Sequence, residues 1–421
     1  MTKKLILVVI DGLTPDVFEA AVERRSAPTL AALADAGTYT RAMSTFPSLT
    51  PVCLASLATG GGPDVHHIPH LVWYHRAELR VVEYGSSFGA MRAAGTRRVI
   101  KDAIVEMNAE HLASHAVTVY EALEDSGLVT AAVNVPCYRG RTRHVATVPG
   151  VVRPVNGPRR FFYYNLFESD VTGAPFAVRG RALGSVDAYA AAVGRWLVTR
   201  DGFDFLFFYL PDYDFASHAL GPAGADEALA RSDRAIGALV QAAGGLEAFL
   251  ERYDMVVCSD HGQTHVERAV RLEDLVGDPQ GIVTASNRAG MVYLDGDARP
   301  VAERLGRSEG IGLALFREGD EFYAARNGGV ERLERGGRAW QALANPNAGE
   351  VIVSAAAGVE FMDQGGRHHA GGGSHGSIDD GDSLVPMLVV GELSPPASIT
   401  AVAPLVLEHF GVEAPAYARA A

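Results

Sequence analysis

The sequence predicts an α/β protein: a doubly wound, mainly parallel sheet with helices on both faces, carrying cap insertions. Three observations predict it. Short apolar runs of strand length recur along the chain, as expected of strands buried on both faces. Helical patterns separate those runs, and strands alternating with helices imply parallel pairing. The chain has 421 residues, 48 % of them hydrophobic, enough to enclose a large core.

The elements follow in order. Residues 5–10 form a continuous β-rich run, the first strand. Residues 28–37 read as a short helix ended by Gly37. Thr118 and Glu121 have capping-box spacing ahead of Leu123, and Gly127 closes that helix. Residues 128–135 and 203–210 read as strands. Leu229, Ile236, Leu239 and Val240 recur at helical spacing within 226–243. Residues 254–258 and 385–390 are further strands, and 401–410 a last helix. Segments 64–115 and 150–185 fit the alternation poorly and are expected as cap insertions. Segment 266–350 is expected as a small appended subdomain. The whole chain, 1–421, is expected to form one catalytic domain.

Charge narrows the function. Lys and Arg number 37 against 50 Asp and Glu, a formal net charge of −13. A nucleic-acid binder needs a basic stripe to replace phosphate counterions, so polymer binding is not expected. An anion held through a metal remains compatible. Cys53, Cys137 and Cys258 are far apart and read as buried reduced thiols, favouring a reducing compartment. The apolar run ending at Ile10 is too short for a signal segment or a membrane span. We expect a cytoplasmic protein with no membrane partner.

In doubly wound sheets, ligands sit beyond the carboxyl ends of strands. Asp11 closes the first strand there. Asp214 and His218 follow the 203–210 strand, four apart, so a helical turn puts them on one face. Asp260 and His261 follow the 254–258 strand. His375 sits in a glycine-rich loop before 385–390. Three Asp and three His make a nitrogen and oxygen donor set suited to zinc. Each alone has a plainer reading: a strand-to-turn Asp-Gly, a surface pair, a flexible loop. The set is harder to dismiss.

Thr50 precedes Pro51, which fits the first position of a helix, so Thr50 is expected at the N-cap. It either caps the helix or presents its hydroxyl as a nucleophile. A free hydroxyl is a poor nucleophile at neutral pH, so the second reading requires metal ions nearby.

The ordered motifs resemble the alkaline phosphatase superfamily, in its nucleotide pyrophosphatase/phosphodiesterase (type I phosphodiesterase) branch. They are Val9-Ile-Asp-Gly12, Ala27-Pro-Thr-Leu30, Thr50 ahead of Thr59-Gly60, Asp214 through His218, Ser259-Asp-His-Gly262 and Gly373-Ser-His-Gly376. Val402-Ala-Pro-Leu-Val-Leu-Glu-His-Phe-Gly-Val412 resembles the family's last helix. The resemblance implies an alkaline phosphatase-like fold and two divalent ions, zinc first and manganese as the alternative. Asp11, Asp260, His261 and Thr50 would hold one, and Asp214, His218 and His375 the other. It implies in-line phosphoryl transfer through a covalent phospho-threonine on Thr50. The substrate would be a small phosphate ester or a nucleotide-like molecule.

The chain departs from the branch where an Asn helps bind a phosphoryl oxygen, because Leu71 stands there. Nearby His66, His67, His70 and Tyr74 are the alternatives. His67, Tyr74, Arg160 and Tyr163 are taken as substrate-binding candidates: Arg for a second anion, aromatics for an apolar or planar group. Asp212 is an alternative ligand, at less suitable spacing. His265, His368 and His369 are less well placed. Cys53 is followed by Leu-Ala-Ser, which excludes a sulfatase signature, and Thr50 disfavours a cofactor-independent phosphoglycerate mutase. The alternatives retained are a phosphomonoesterase, a phosphonate hydrolase, a phosphoryl transferase and an inactive metal-binding relative.

Overall fold

The computed structural model describes residues 2–148, 150, 152–169, 185–277 and 281–418. Its centre is an eight-stranded sheet. Lys4–Ile10 lies in the middle, parallel to Phe205–Leu210 on one side and to Tyr253–Cys258 on the other. Thr130–Val133 and then Arg160–Tyr163 continue the parallel pairing. Both edges turn antiparallel. Leu384–Val390 and Thr38–Met43 finish one side, and Phe167–Ser169 the other.

The apolar runs have a direct cause. Leu5, Leu7 and Val9 enter one core, while Ile6, Val8 and Ile10 enter the core on the opposite face. Side chains alternate along a strand, so a sheet covered on both faces needs apolar residues at every position. Helices Thr50–Thr59, Val119–Asp125 and Val402–His409 cover the first face. Helices Pro15–Glu23, Pro28–Ala36, Val186–Thr199 and Asp226–Ala242 cover the second. All three cysteines are free and buried. Among the described residues no helix is long and apolar enough to cross a membrane.

Two expectations are revised. Thr50 is not the N-cap. Leu49 takes that position in extended geometry (φ −119°, ψ 137°), and Thr50 is the first helical residue. No amide in the first turn needs an intrahelical acceptor, so Pro51 is tolerated one position later. Within 150–185, Arg160–Tyr163 and Phe167–Ser169 complete the central sheet instead of capping it. Phe161 and Phe162 enter opposite cores, the signature of a strand covered on both faces. Residues 170–184 lie outside the described residues.

Segment 64–115 folds as a Val72–His75/Arg80–Glu83 hairpin followed by Phe88–Ala94, Thr96–Lys101 and a wide-pitched turn series at Asp102–His111. Within and just beyond 266–350, six strands from Gly281–Ser286 to Val351–Ala355 form a separate antiparallel sheet with its own core. Arg288 ties this sheet to the central body through a fully buried two-point pair with Asp382, at 2.8 and 2.9 Å.

Candidate active site

The six Asp and His residues singled out in the sequence converge at the carboxyl ends of the central strands. Asp11 follows Lys4–Ile10. Asp214 and His218 lie on helix Asp212–Leu220, directly after Phe205–Leu210. Asp260 and His261 follow Tyr253–Cys258, and His375 sits between Gly373–Ser374 and helix Asp380–Ser383. Donor atoms of Asp11, Asp260 and His261 lie within 4.8 Å of one another, as do those of Asp214, His261 and His375. His218 joins through Asp214, its Nε2 3.2 Å from Oδ2. Thr50 Oγ1 lies 3.1 Å from His261 Nε2.

Backbone geometry makes this convergence possible. Gly12 has φ +70°, and a Cβ there would meet Asp214 Oδ1 at 2.7 Å. A side chain at this turn would therefore push the two halves of the cage apart.

The three imidazoles share one arrangement. Nδ1 of His261 donates to the Gly262 carbonyl at 3.0 Å, Nδ1 of His218 to the Gly373 carbonyl at 2.9 Å, and Nδ1 of His375 to the Ser48 carbonyl at 2.8 Å. Each bond commits Nδ1 and turns Nε2 toward the cage; at His261 and His375 that atom carries the lone pair, while His218 Nε2 holds a proton toward Asp214 Oδ2 until a cation displaces it. This is how metal-binding histidines are oriented. The carboxylates are similarly half-committed. Asp260 Oδ1 accepts from the amides of His261 and Gly12 at 3.0 and 3.3 Å. Asp11 Oδ2 accepts from the Tyr209 hydroxyl. Asp260 Oδ2 and Asp11 Oδ1 are buried with no hydrogen-bond partner among the described residues. Oxygens in that state are costly unless a cation meets them.

The electrostatics point the same way. Burial, reinforced by Asp260 and Asp214, drives the pKa of Asp11 well above the carboxylate range. Burial also raises that of Asp260, against the pull of His261. Burial opposes ionisation of Asp214 too, but His218 outweighs it by charge and hydrogen bond and holds the carboxyl low. His375 is pushed well below the usual imidazole range by burial and by His261. Three buried carboxylates and three imidazole Nε2 atoms, crowded together, fit divalent cations.

A cavity of about 740 Å³ opens onto the cage, lined by Thr50, Asp214, His218 and His375 among others. Of the four proposed substrate contacts, only Tyr163 lines it. Arg160 belongs to the same strand as Tyr163 but three positions away, so it points to the other face. There its guanidinium lies over Trp196, 5.9 Å from the ring centroid. Tyr74 packs against Tyr293, with ring centroids 5.6 Å apart. His67 ends a helical turn at φ +65° and packs its ring on His115. Asp212 accepts from the amides of Val186 and Asp187 and so caps helix Val186–Thr199 rather than entering the cage.

Asn287 at the site was not anticipated, and His369, set aside on its sequence position, is also there. Asn287 reaches in from the second sheet, its Nδ2 2.9 Å from His375 Nε2, while Leu71 contributes only an apolar surface. Its signal was a left-handed Asn (φ +56°) between two apolar runs, which reads simply as a turn. His369 stacks on His218 at 4.0 Å and pairs through Nδ1 with the buried Glu360 at 3.0 Å.

Comparison with known proteins completes the description. The sequence model of the family described as type I phosphodiesterase / nucleotide pyrophosphatase matches residues 5–378. Murine ectonucleotide pyrophosphatase / phosphodiesterase 5 is similar in structure, with a TM-score of 0.67 at 15 % identity, covering 98 % of this chain and 96 % of that one. Its inactive threonine-to-alanine variant in complex with AMP matches equally well. Phosphonoacetate hydrolase from Sinorhizobium meliloti 1021, in complex with phosphonoacetate, has a TM-score of 0.67 at 18 % identity, covering 97 % and 96 %. No curated protein matches the sequence.

Proposed function

The chain belongs to the type I phosphodiesterase / nucleotide pyrophosphatase family, a family of metal-dependent phosphoric ester hydrolases, and on that premise we propose that it cleaves a phosphodiester or pyrophosphate through a covalent phospho-threonine on Thr50. The observation that carries this reading is the Thr50 hydroxyl. It is not used as a helix cap, and it lies 3.1 Å from His261 Nε2, which is itself 3.3 Å from Asp11 Oδ1 and 3.5 Å from Asp260 Oδ2.

Asp11, Asp260, His261 and Thr50 would hold one divalent ion, and Asp214, His218 and His375 a second. Zinc suits the donor set best, with manganese as the alternative. Such ions would lower the pKa of the Thr50 hydroxyl and neutralise charge on the reacting oxygens.

The chain's own groups do the rest. Thr50 Oγ1 gives up its proton to solvent and forms a bond to phosphorus as the bond to the leaving oxygen breaks in line, and the leaving group departs as its alkoxide or takes a proton from solvent. Water then forms the new bond to phosphorus, the Thr50 bond breaks, and Oγ1 recovers a proton. Thr50 opens a ten-residue helix, so the helix dipole favours the negative phosphoryl group beside it. The Asn287 amide is placed to donate to a phosphoryl oxygen, a role left vacant at Leu71. Segment 64–115 and the second sheet both put residues at the site, so we take the chain as one catalytic domain. Two relatives support the reading: an inactive threonine-to-alanine variant that binds AMP, and a hydrolase that binds phosphonoacetate.

The test is Thr50→Ala on the metal-loaded protein, assayed with bis(p-nitrophenyl) phosphate. Removing a nucleophile should lower turnover by at least about a thousandfold. Acid quenching of wild type should trap a p-nitrophenyl phosphoryl group on Thr50, and metal analysis should find two ions per chain. Turnover by Thr50→Ala at the wild-type rate would refute the proposal.

A further inference from the structure

The cavity in front of Thr50 continues past the cage to a wall made by two interlocked loops, 84–89 and 363–367. The second loop is tightly built. Asp363 Oδ1 accepts from the amides of Gly365 and Arg367, both at 2.8 Å. The Gly366 amide donates to the Asp363 carbonyl at 2.9 Å, and the Asp363 amide to the Arg367 carbonyl at 3.0 Å. The first loop is held from beneath by the buried Glu83, which accepts from the amides of Gly85 and Ser86. The loops touch through glycines. A Cβ on Gly365 would lie 2.6 Å from the Ala90 nitrogen, and one on Gly89 would lie 3.5 Å from Arg367 Cγ.

Arg367 is the one Lys or Arg lining this cavity among the described residues. Other arginines near the site are committed. Arg288 is locked on Asp382, and Arg80 on Asp102 at 2.6 and 2.9 Å. No ion pair or hydrogen bond among the described residues holds the Arg367 guanidinium. Arg367 is exposed and lines the cavity that also holds Thr50, so a permanently charged, planar five-donor group stands at that cavity on a turn held by its own hydrogen bonds. Tyr84 and Phe88 line the same cavity and offer it apolar surface.

We propose that Arg367 binds a second anionic group of the substrate, a carboxylate or phosphate carried apart from the phosphoryl group that Thr50 attacks. The preferred substrates are then esters or phosphonates with a further negative charge. This inference rests on the phosphoryl-transfer reading above and gives it a substrate class. It also moves the anion-binding role from Arg160 to a residue that faces the cavity.

The test uses two matched pairs of substrates with the full-length, metal-loaded protein. One pair is p-nitrophenyl methylphosphonate and p-nitrophenyl carboxymethylphosphonate. The other is a nucleoside p-nitrophenyl phosphate with and without an additional ribose phosphate. Wild type should favour the more charged member of one pair by roughly ten- to a hundredfold in kcat/KM, the range of one charge-assisted contact. The pair that responds identifies carboxylate or phosphate. The ratio should collapse to near one in Arg367→Gln and recover in part in Arg367→Lys. An unchanged ratio in Arg367→Gln, or no preference in either pair, overturns the inference. Absence of Thr50-dependent turnover with all four substrates would instead be a failure of the phosphoryl-transfer reading. Calorimetric binding of phosphonoacetate against methylphosphonate then decides for Arg367. A preference lost in Arg367→Gln supports the inference, and equal binding of the two ligands to wild type overturns it.

Discussion

Glu83 shows how burial of one carboxyl couples pH to stability. It is 1 % exposed, and its oxygens accept from the Gly85 and Ser86 amides at 2.7 and 2.6 Å and from the Ser86 hydroxyl at 2.9 Å. Burial pushes its pKa up from 4.5 to about 7, against those hydrogen bonds. Between these two values the folded protein binds the proton more tightly than the unfolded chain does. The contribution to stability is therefore full below pH 4.5, falls as pH rises through 7 and is constant above it. Glu83→Gln keeps the acceptor and removes the titration. Its melting temperature should gain on that of wild type between pH 5 and pH 8, and parallel curves would show that Glu83 does not titrate there. Nothing in the sequence marked Glu83, because its shift comes from burial under a loop. The cage residues were legible for the opposite reason. Strand ends followed at once by Asp11, Asp260 and His261 leave the chain no room to place them anywhere but the sheet's carboxyl edge. His67, Tyr74 and Arg160 were misjudged because proximity in sequence says nothing about which face of a strand or turn a side chain takes.

Local rules decided elements where the signal was chemical rather than apolar. At Thr118 the capping box forms as its spacing predicts: Thr118 Oγ1 accepts from the Glu121 amide at 3.2 Å, and Glu121 Oε2 accepts from the Thr118 amide at 3.0 Å. The same hydroxyl donates to the Arg139 carbonyl at 2.6 Å, tying the helix start to the strand–loop region beyond it. Thr118→Ala should cost about 1–2 kcal/mol in denaturant unfolding, with Thr118→Ser close to wild type. A loss under a few tenths of a kcal/mol would mean that water replaces the cap. Capping logic misplaced Thr50 by one residue, and that shift has a chemical consequence: a capping hydroxyl is consumed, whereas one at the first helical position stays available. Arg160–Tyr163 was read as part of a cap because segment 150–185 fits the alternation of strands and helices poorly. Its short Phe161-Phe162 core was outweighed by polar neighbours that lie at a sheet end. Asn287 was illegible since its partner His375 is 88 residues away.

At the scale of the whole molecule, an excess of negative charge sits in a protein whose substrates are anions. The cage resolves the conflict only when cations are present, and this makes stability a reporter of metal binding. Asp11, Asp214 and Asp260 are each at most 5 % exposed, and burial raises the pKa of both Asp11 and Asp260. The metal-free fold therefore carries uncompensated carboxylates that the unfolded chain would hydrate. Ions that bind the folded state alone stabilise it by mass action, about 2.7 kcal/mol at a hundredfold excess over Kd. Exhaustive chelation should lower the melting temperature, and zinc titrated back should raise it progressively with concentration. Asp260→Asn gives the sharper reading, because it keeps the acceptor for Gly12 and His261 while deleting one charge. The metal-free variant should melt at or above metal-free wild type, since repulsion on Asp11 is relieved. With zinc the order should reverse, because the variant has lost a ligand. If zinc leaves wild type unmoved and Asp260→Asn is equally destabilised with and without it, the cage is a structural cluster and not a metal site.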